Sequence, residues 1–409
     1  MLKRFKTIVL AFILIIASVF TGTVTVSAEQ DSLKLYANAA VLIDGSNGRI
    51  LYGRNEDKVM PMASTTKVMT LIVALEYGNP EDTVTISKYA ASQPDVQLNA
   101  LVGEQYVLKD LLHAMMMQSY NDVAVAIAEY VADVYLNEQQ QAEIVSQRTT
   151  EDSKEMVKVF AGLMNEKAKN LGCVNTYFIT PNGLDAQDEN GIHGTTAYEL
   201  AKICAYAMGK EEVIDICTTR NYAFSEITGK RNVNIGTTDR FLDMMEGAVG
   251  LKTGFTGNAG YCFAGAIKKD GKTFISVVLG SGWPPNNNYK WVDTKALMNY
   301  GINNYFYQKI FIPDEDYMRI QVNEGVEEYV DTYIPFSLGM LMSENDEIDI
   351  VYVTPDYVVA PVDTNEEIGS VNIYLNGNLY TSFPILTKKS VPEKDFWWCL
   401  KYVLKEWVR

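Results

Sequence analysis

Two apolar strand pairs stand more than two hundred residues apart in this chain, and a sheet that uses both can close only late in the sequence. The first pair is Ala40-Val41-Leu42-Ile43 and Arg49-Ile50-Leu51-Tyr52, joined by the turn residues Asp44-Gly45-Ser46-Asn47-Gly48. The second is Gly260 to Ile267 and Thr273 to Leu279, bracketing Lys269-Asp270-Gly271-Lys272 and apolar enough for the middle of a sheet. Helical patterns fill the interval. Leu111, Leu112, Met115, Met116, Val123, Ile127 and Val131 mark one between about Leu108 and Val134, and Val157 to Leu171 marks another. A helix from about Tyr289 to Phe306 follows. The pattern predicts an α/β (α+β) domain, its sheet assembled from distant segments with helices packed on its faces.

After about Pro313 the character changes. Short runs such as Met318–Val322, Ile348–Val353 and Val371–Leu375, the last with Asn376-Gly377-Asn378 as its turn, predict a small all-β domain. Residues 136–156 are polar and read as a loop or surface-helix insertion. Expected boundaries are 1–28, 29–310, 311–389 and 390–409.

Residues 1–28 read as a secretory signal. Lys3, Arg4 and Lys6 precede an apolar stretch from Ile8 to Phe20, and Val26-Ser27-Ala28 offers small residues for cleavage. That stretch is shorter than the roughly 20 residues a spanning helix prefers. The chain is therefore expected to be exported. Its formal charge of −16 becomes −19 without the three basic residues of the signal, which argues against nucleic acid as a partner. Five cysteines lack a CxxC pair, and the two histidines, His113 and His193, lie in no recognisable catalytic motif. His113 sits in an apolar helical stretch and reads as a packing residue.

The last segment runs against the overall charge. From Lys388 onward there are six basic and three acidic residues. Phe396, Trp397, Leu400, Val403, Leu404 and Trp407 recur at helical spacing, with Lys394, Lys401, Lys405 and Arg409 largely elsewhere on the wheel. An amphipathic helix lying in a membrane interface is expected.

The chemistry is concentrated in Ser64-Thr65-Thr66-Lys67, which opens the apolar run Val68 to Leu75. Serine and lysine three residues apart share a face of the first helical turn, so the amine can take the hydroxyl proton. Ser119-Tyr120-Asn121 follows at a break in the helical pattern, and Lys252-Thr253-Gly254 stands just before the second hairpin. A serine there could merely cap a helix; the lysine on the same helix and the later Lys-Thr-Gly are not explained by a cap. In order and in context, the three elements make a strong signal.

With Pro181-Asn182-Gly183-Leu184-Asp185, Thr195 to Ala201 and Gly250 to Thr256, they give the chain a plain resemblance to the serine-type D-alanyl-D-alanine carboxypeptidases, the low-molecular-mass penicillin-binding proteins. The resemblance implies a penicillin-binding, β-lactamase-like domain with an antiparallel sheet flanked by helices, a small C-terminal all-β domain and an amphipathic tail helix. It implies cleavage of the terminal D-Ala–D-Ala bond of peptidoglycan stem peptides, with Ser64 as nucleophile and Lys67 as base. Ser119 would relay the proton and Asn121 would orient Lys67. Lys252 and Thr253 would bind the terminal carboxylate, and Gly254 would allow close approach. The N–H groups of Ser64 and Phe255 would form the oxyanion hole. β-Lactams would acylate Ser64, and no metal or organic cofactor is needed. The enzyme would work on the outer face of the cytoplasmic membrane. Two features depart from the family pattern: Tyr120 is bulky for the middle of its motif, and the 136–156 stretch is long. A class A β-lactamase would carry a glutamate motif between Asn121 and Lys252, and none stands out. A wall-binding protein with a vestigial site would not need every motif residue intact.

Overall fold

The computed structural model describes residues 33–136, 142–313 and 318–407. The signal segment 1–28, part of the 136–156 insertion and Arg409 lie outside the described residues.

The two hairpins do join one sheet. Strands β1 (Ala39–Asp44) and β2 (Ile50–Arg54) come from the start of the chain, β3 (Ala248–Thr256), β4 (Gly260–Lys269) and β5 (Lys272–Leu279) from its later part. Their order is β2-β1-β5-β4-β3, all antiparallel, so β3 forms an edge. The β4–β5 turn has Asp270 and Gly271 at φ 52° and 75°. Both positive angles match the right-handed twist of the flanking strands, which explains why Asp-Gly stands there.

Helix α1 (Lys67–Tyr77) runs through the core, with Val68 to Ala74 all buried. Each fully buried Leu or Ile of that helix contributes roughly 2 kcal/mol. This burial holds in place a segment that begins with a lysine. The stretch expected as one helix from Leu108 to Val134 is two, α2 (Leu108–Gln118) and α3 (Asn121–Tyr135). Ser119, at φ 68°, is the left-handed residue that ends α2. Helix α4 begins earlier than the apolar periodicity indicates, at Thr150 (Thr150–Asn170), because Thr149 caps it: its side chain accepts from Asp152 N–H. Helices α5 (Ala197–Met208) and α6 (Tyr289–Asn304) pack on the sheet.

The C-terminal part is all-β. A six-stranded sheet runs in the order 348–353, 367–375, 378–387, 329–333, 319–323, 357–359, and Phe306–Phe311 pairs with Leu338–Met342. Asn376 and Gly377, at φ 51° and 76°, form the expected turn. Arg49 ties this part to the first hairpin through Asp346 at 2.5 Å and the Leu341 carbonyl at 2.7 Å. A final helix, Phe396–Trp407, keeps its apolar side chains in solvent; Trp407 is 88% exposed and Phe396 71%. Among the described residues no helix is long and apolar enough to cross a membrane.

Candidate active site

A single turn of 3-10 helix, Ala63–Thr66, runs directly into α1. This brings Ser64 and Lys67 to one face of the join. Lys67 Nζ is 3.0 Å from Ser64 Oγ, 2.8 Å from Asn121 Oδ1 and 2.6 Å from the Asn182 carbonyl. Ser64 Oγ lies 3.3 Å from the same carbonyl. Asn121 is fixed in turn, since its amide donates to the carbonyls of Pro94 and Asp95, both at 3.1 Å.

The electrostatics favour a neutral amine. Lys67 is fully buried, and burial holds its pKa well below the usual lysine range. The nearby ammonium of Lys252 pushes the same way, and Asp122 pushes back weakly. Lys252 is itself buried, and burial brings it down to about 8 against the opposing pull of Asp239.

Ser64 sits on a strained support. Ala63 precedes it at φ 49°, an uncommon angle for a residue with a side chain. Hydrogen bonds hold that angle. Thr66 Oγ1 donates to the Ala63 carbonyl at 2.8 Å. His193 Nε2 lies 2.8 Å from Thr66 Oγ1, while its Nδ1 accepts from the Ile179 and Thr180 N–H groups at 2.9 and 3.3 Å. Nδ1 is thus unprotonated and Nε2 is the donor. Burial drives the His193 pKa down to about 4, so the ring is a neutral strut rather than a base.

Edge strand β3 crosses the start of α1. A β-carbon on Gly254 would lie 3.0 Å from Ser64 N and 3.1 Å from Thr65 N. The register of β3 shows which groups face outward. Tyr261 directs its own N–H and C=O to Gly282 and Ser281 on the far side of β4. Phe255, its partner across β3–β4, is therefore in a non-hydrogen-bonded pair, and its N–H points out from the free edge, as do the backbone groups of Thr253. An extended peptide could pair there, one end beside Ser64.

Ser64, Lys67, Asn121, Lys252, Thr253, Gly254 and Phe255 are thus brought together. Ser119 is at the helix break beside them, half-buried, and its hydroxyl has no hydrogen-bond partner among the described residues. The sequence reading assigned no role to the Asn182 carbonyl, the His193 strut or Asp239. His113 packs as expected, stacked on Tyr222 at 4.0 Å. Among the described residues no cluster of acidic, histidine or cysteine side chains could hold a metal ion.

The D-alanyl-D-alanine carboxypeptidase family model (peptidase S11) matches residues 24–136 and 154–282, leaving most of the polar insertion unmatched. The model of the C-terminal domain of penicillin-binding protein 5 matches residues 305–393. The chain is similar to D-alanyl-D-alanine carboxypeptidase DacF of Bacillus subtilis, 26% identical over 91% of this chain and 90% of that one. It is 31% identical to a D-alanyl-D-alanine carboxypeptidase of Streptomyces sp. strain K15, over 63% of this chain and 84% of the relative. Among solved structures, penicillin-binding protein 5 from Haemophilus influenzae matches with a TM-score of 0.69 at 25% identity, covering 88% of this chain and 99% of that one.

Proposed function

The chain belongs to the D-alanyl-D-alanine carboxypeptidase family of serine peptidases, and from that membership we propose how its own groups remove the terminal D-alanine of a peptidoglycan stem peptide. The reading is carried by one observation: a buried amine 3.0 Å from the Ser64 hydroxyl, with two further acceptors already in place.

A neutral amine has two N–H groups and one lone pair. Asn121 Oδ1 and the Asn182 carbonyl take the two N–H groups, which leaves the lone pair for the Ser64 proton. Ser64 Oγ attacks the penultimate carbonyl carbon, and the C–N bond to the terminal D-alanine breaks to give an acyl-enzyme. The N–H groups of Ser64 and Phe255 receive the developing oxyanion. Lys252 and Thr253 hold the terminal carboxylate, a charge-assisted contact. Ser119 passes the proton to the leaving amine once substrate fills the cleft. Water then enters and frees the shortened peptide. A β-lactam presents an equivalent carbonyl and stops at the acyl-enzyme.

The test is an adduct map. Labelled penicillin should attach at Ser64, the label should vanish in Ser64→Ala, and D-alanine release should vanish with it. Label elsewhere, or unchanged in the variant, overturns the assignment.

We assign the peptidase domain to residues 29–310, the small β domain to 311–389 and a membrane-surface anchor to 390–409, behind an export signal at 1–28. The anchor rests on the exposed apolar face of Phe396–Trp407 with Lys394, Lys401 and Lys405 beside it. Flotation with anionic vesicles should carry the full chain. Removing Pro392–Arg409 should leave it in the aqueous fraction with its activity intact; flotation unchanged by the deletion overturns the anchor.

A further inference from the structure

Asp239 stands outside every motif of the site, yet its carboxylate is built into the wall behind Lys252. It precedes the 3-10 turn Arg240–Asp243 and is only 8% exposed. Oδ1 has an evident structural duty, accepting from Phe241 N–H at 2.9 Å to cap that turn. Oδ2 has none. It is shut off from solvent and has no hydrogen-bond partner among the described residues. A buried, half-satisfied carboxylate is costly unless a charge answers it.

The direction of Oδ2 identifies the charge. A β-carbon on Gly250 would lie 3.2 Å from it, so the carboxylate fills space that a side chain at 250 would need. Residues 250 and 252 of strand β3 project to one face. The Lys252 side chain therefore rises on the same face as the Asp239 carboxylate. Lys290 of α6 is the second cation acting on Asp239, and Asp243 is the nearby like charge. Lys252 Nζ donates to the Thr253 carbonyl at 3.2 Å; the side chain lies within electrostatic reach of Asp239 and Cys217, and its charge acts on Lys67. Burial raises the Asp239 pKa to about 6, with the Phe241 N–H, Lys252 and Lys290 opposing the rise. It is an anion at neutral pH.

We propose that Asp239 is a positioning residue for the peptidase reaction: its carboxylate keeps Lys252 in the ammonium form inside a dry wall, and so secures the group that grips the substrate's terminal carboxylate. The proposal rests on the reading of Lys252 given above. Without a nearby anion, burial alone would move the lysine toward the neutral amine, which cannot pair with a carboxylate. The arrangement sets two buried lysines of one cleft apart: Lys252 lies in the field of an anion and stays charged, and Lys67 has mainly neutral acceptors and does not.

Asp239→Asn tests this, because asparagine keeps the cap acceptor and the volume and removes only the charge. The pH dependence of kcat/KM is measured from pH 6 to 10 on a D-alanyl-D-alanine peptide and on its C-terminal amide. For the free carboxylate the alkaline limb should move down by a pH unit or more, with a loss of about fivefold or more at pH 8 carried mainly by KM. The amide should change less than twofold. Superimposable profiles, or equal loss on both substrates, overturn the proposal. In a Lys252→Ala background Asp239→Asn should add less than a twofold effect; full additivity overturns it. Lys252→Ala alone, compared on the same two substrates, tests the underlying reading separately. Should the asparagine variant not fold, 13C-aspartate NMR of the unsubstituted enzyme decides: a carboxyl at 239 ionised by pH 8 supports the proposal, and one still protonated there overturns it.

Discussion

Gly183 packs against the Ala63 carbonyl so closely that a β-carbon at residue 183 would lie 2.0 Å from that oxygen and 2.9 Å from Ser64 N. Gly183 is also at φ 87°, a region that residues with side chains rarely adopt. The loop carrying the Asn182 carbonyl can reach Lys67 only because its next residue has no side chain. Gly183→Ala should therefore push Ala63 and Ser64 out of register with Lys67. Acylation by a fluorescent penicillin is expected to fall by roughly 10²-fold, the cost of about an ångström of misplacement. The stopped-flow rate checks it; a loss under threefold would mean that the Ala63 support adjusts freely.

The two buried lysines set opposite limbs of a pH profile. In the proposed mechanism Lys67 acts as the neutral amine, and burial with Lys252 holds its pKa far down, so activity should rise early on leaving acid. In the same mechanism Lys252 binds as the ammonium, and burial brings its pKa down to about 8, so binding of carboxylate substrates should fade as pH rises through that value. A bell in kcat/KM is expected for a free-carboxylate peptide, with its alkaline limb near pH 8. Lys252→Ala should abolish that limb. It should also move the acid limb upward, because removing a like charge relieves the depression of Lys67. An acid limb that stays in place would show that Lys252 does not act on Lys67.

Asn121 joins Lys67 to the carbonyls of Pro94 and Asp95. Asn121→Asp would set a carboxylate oxygen against those two carbonyls and an anion against the amine. The anion favours the ammonium form of Lys67, which has no lone pair for the Ser64 proton. Acylation at pH 7 should drop by about 10²-fold and recover in part as pH is raised. A simple loss of geometry would be flat with pH, so the slope of acylation rate against pH separates the two.

What the sequence made legible was local. Ser64 and Lys67 are three residues apart, so helix geometry alone puts them together. The Asp270-Gly271 and Asn376-Gly377 turns announce themselves through residues that tolerate positive φ. The break at Ser119 interrupts a periodic pattern. The hidden parts act at long range through groups without a sequence signature. Asn182 contributes a backbone carbonyl, which any residue possesses, from 115 positions away. His193 reaches Thr66 across 127 positions, and a lone histidine in a loop carries no spacing to read. Asp239 comes within electrostatic reach of Lys252 only because a turn folds it over Gly250.

His193 gives the last prediction, and its sign follows from its burial. The ring is neutral in the fold, with Nδ1 already accepting two N–H groups, and its pKa is about 4, against about 6.5 when unfolded. A depressed folded value means that stability is fully present above the unfolded pKa and is lost as pH falls toward the folded one. Between pH 7 and pH 5 the loss from this group should be about 2 kcal/mol. Asp239 and Glu129 are shifted upward, to about 6 and 7, and act with the opposite sign over the same range. The measurement is therefore a difference: urea unfolding of the enzyme and of His193→Gln at the two pH values. The unsubstituted enzyme should lose about 2 kcal/mol more than the variant on acidification. Equal losses would mean that the ring takes up its proton in the fold as readily as in the unfolded chain, and so is protonated at pH 5. The Ile179 and Thr180 N–H groups could not then donate to Nδ1, and the strut beneath Ala63 would have to be held some other way.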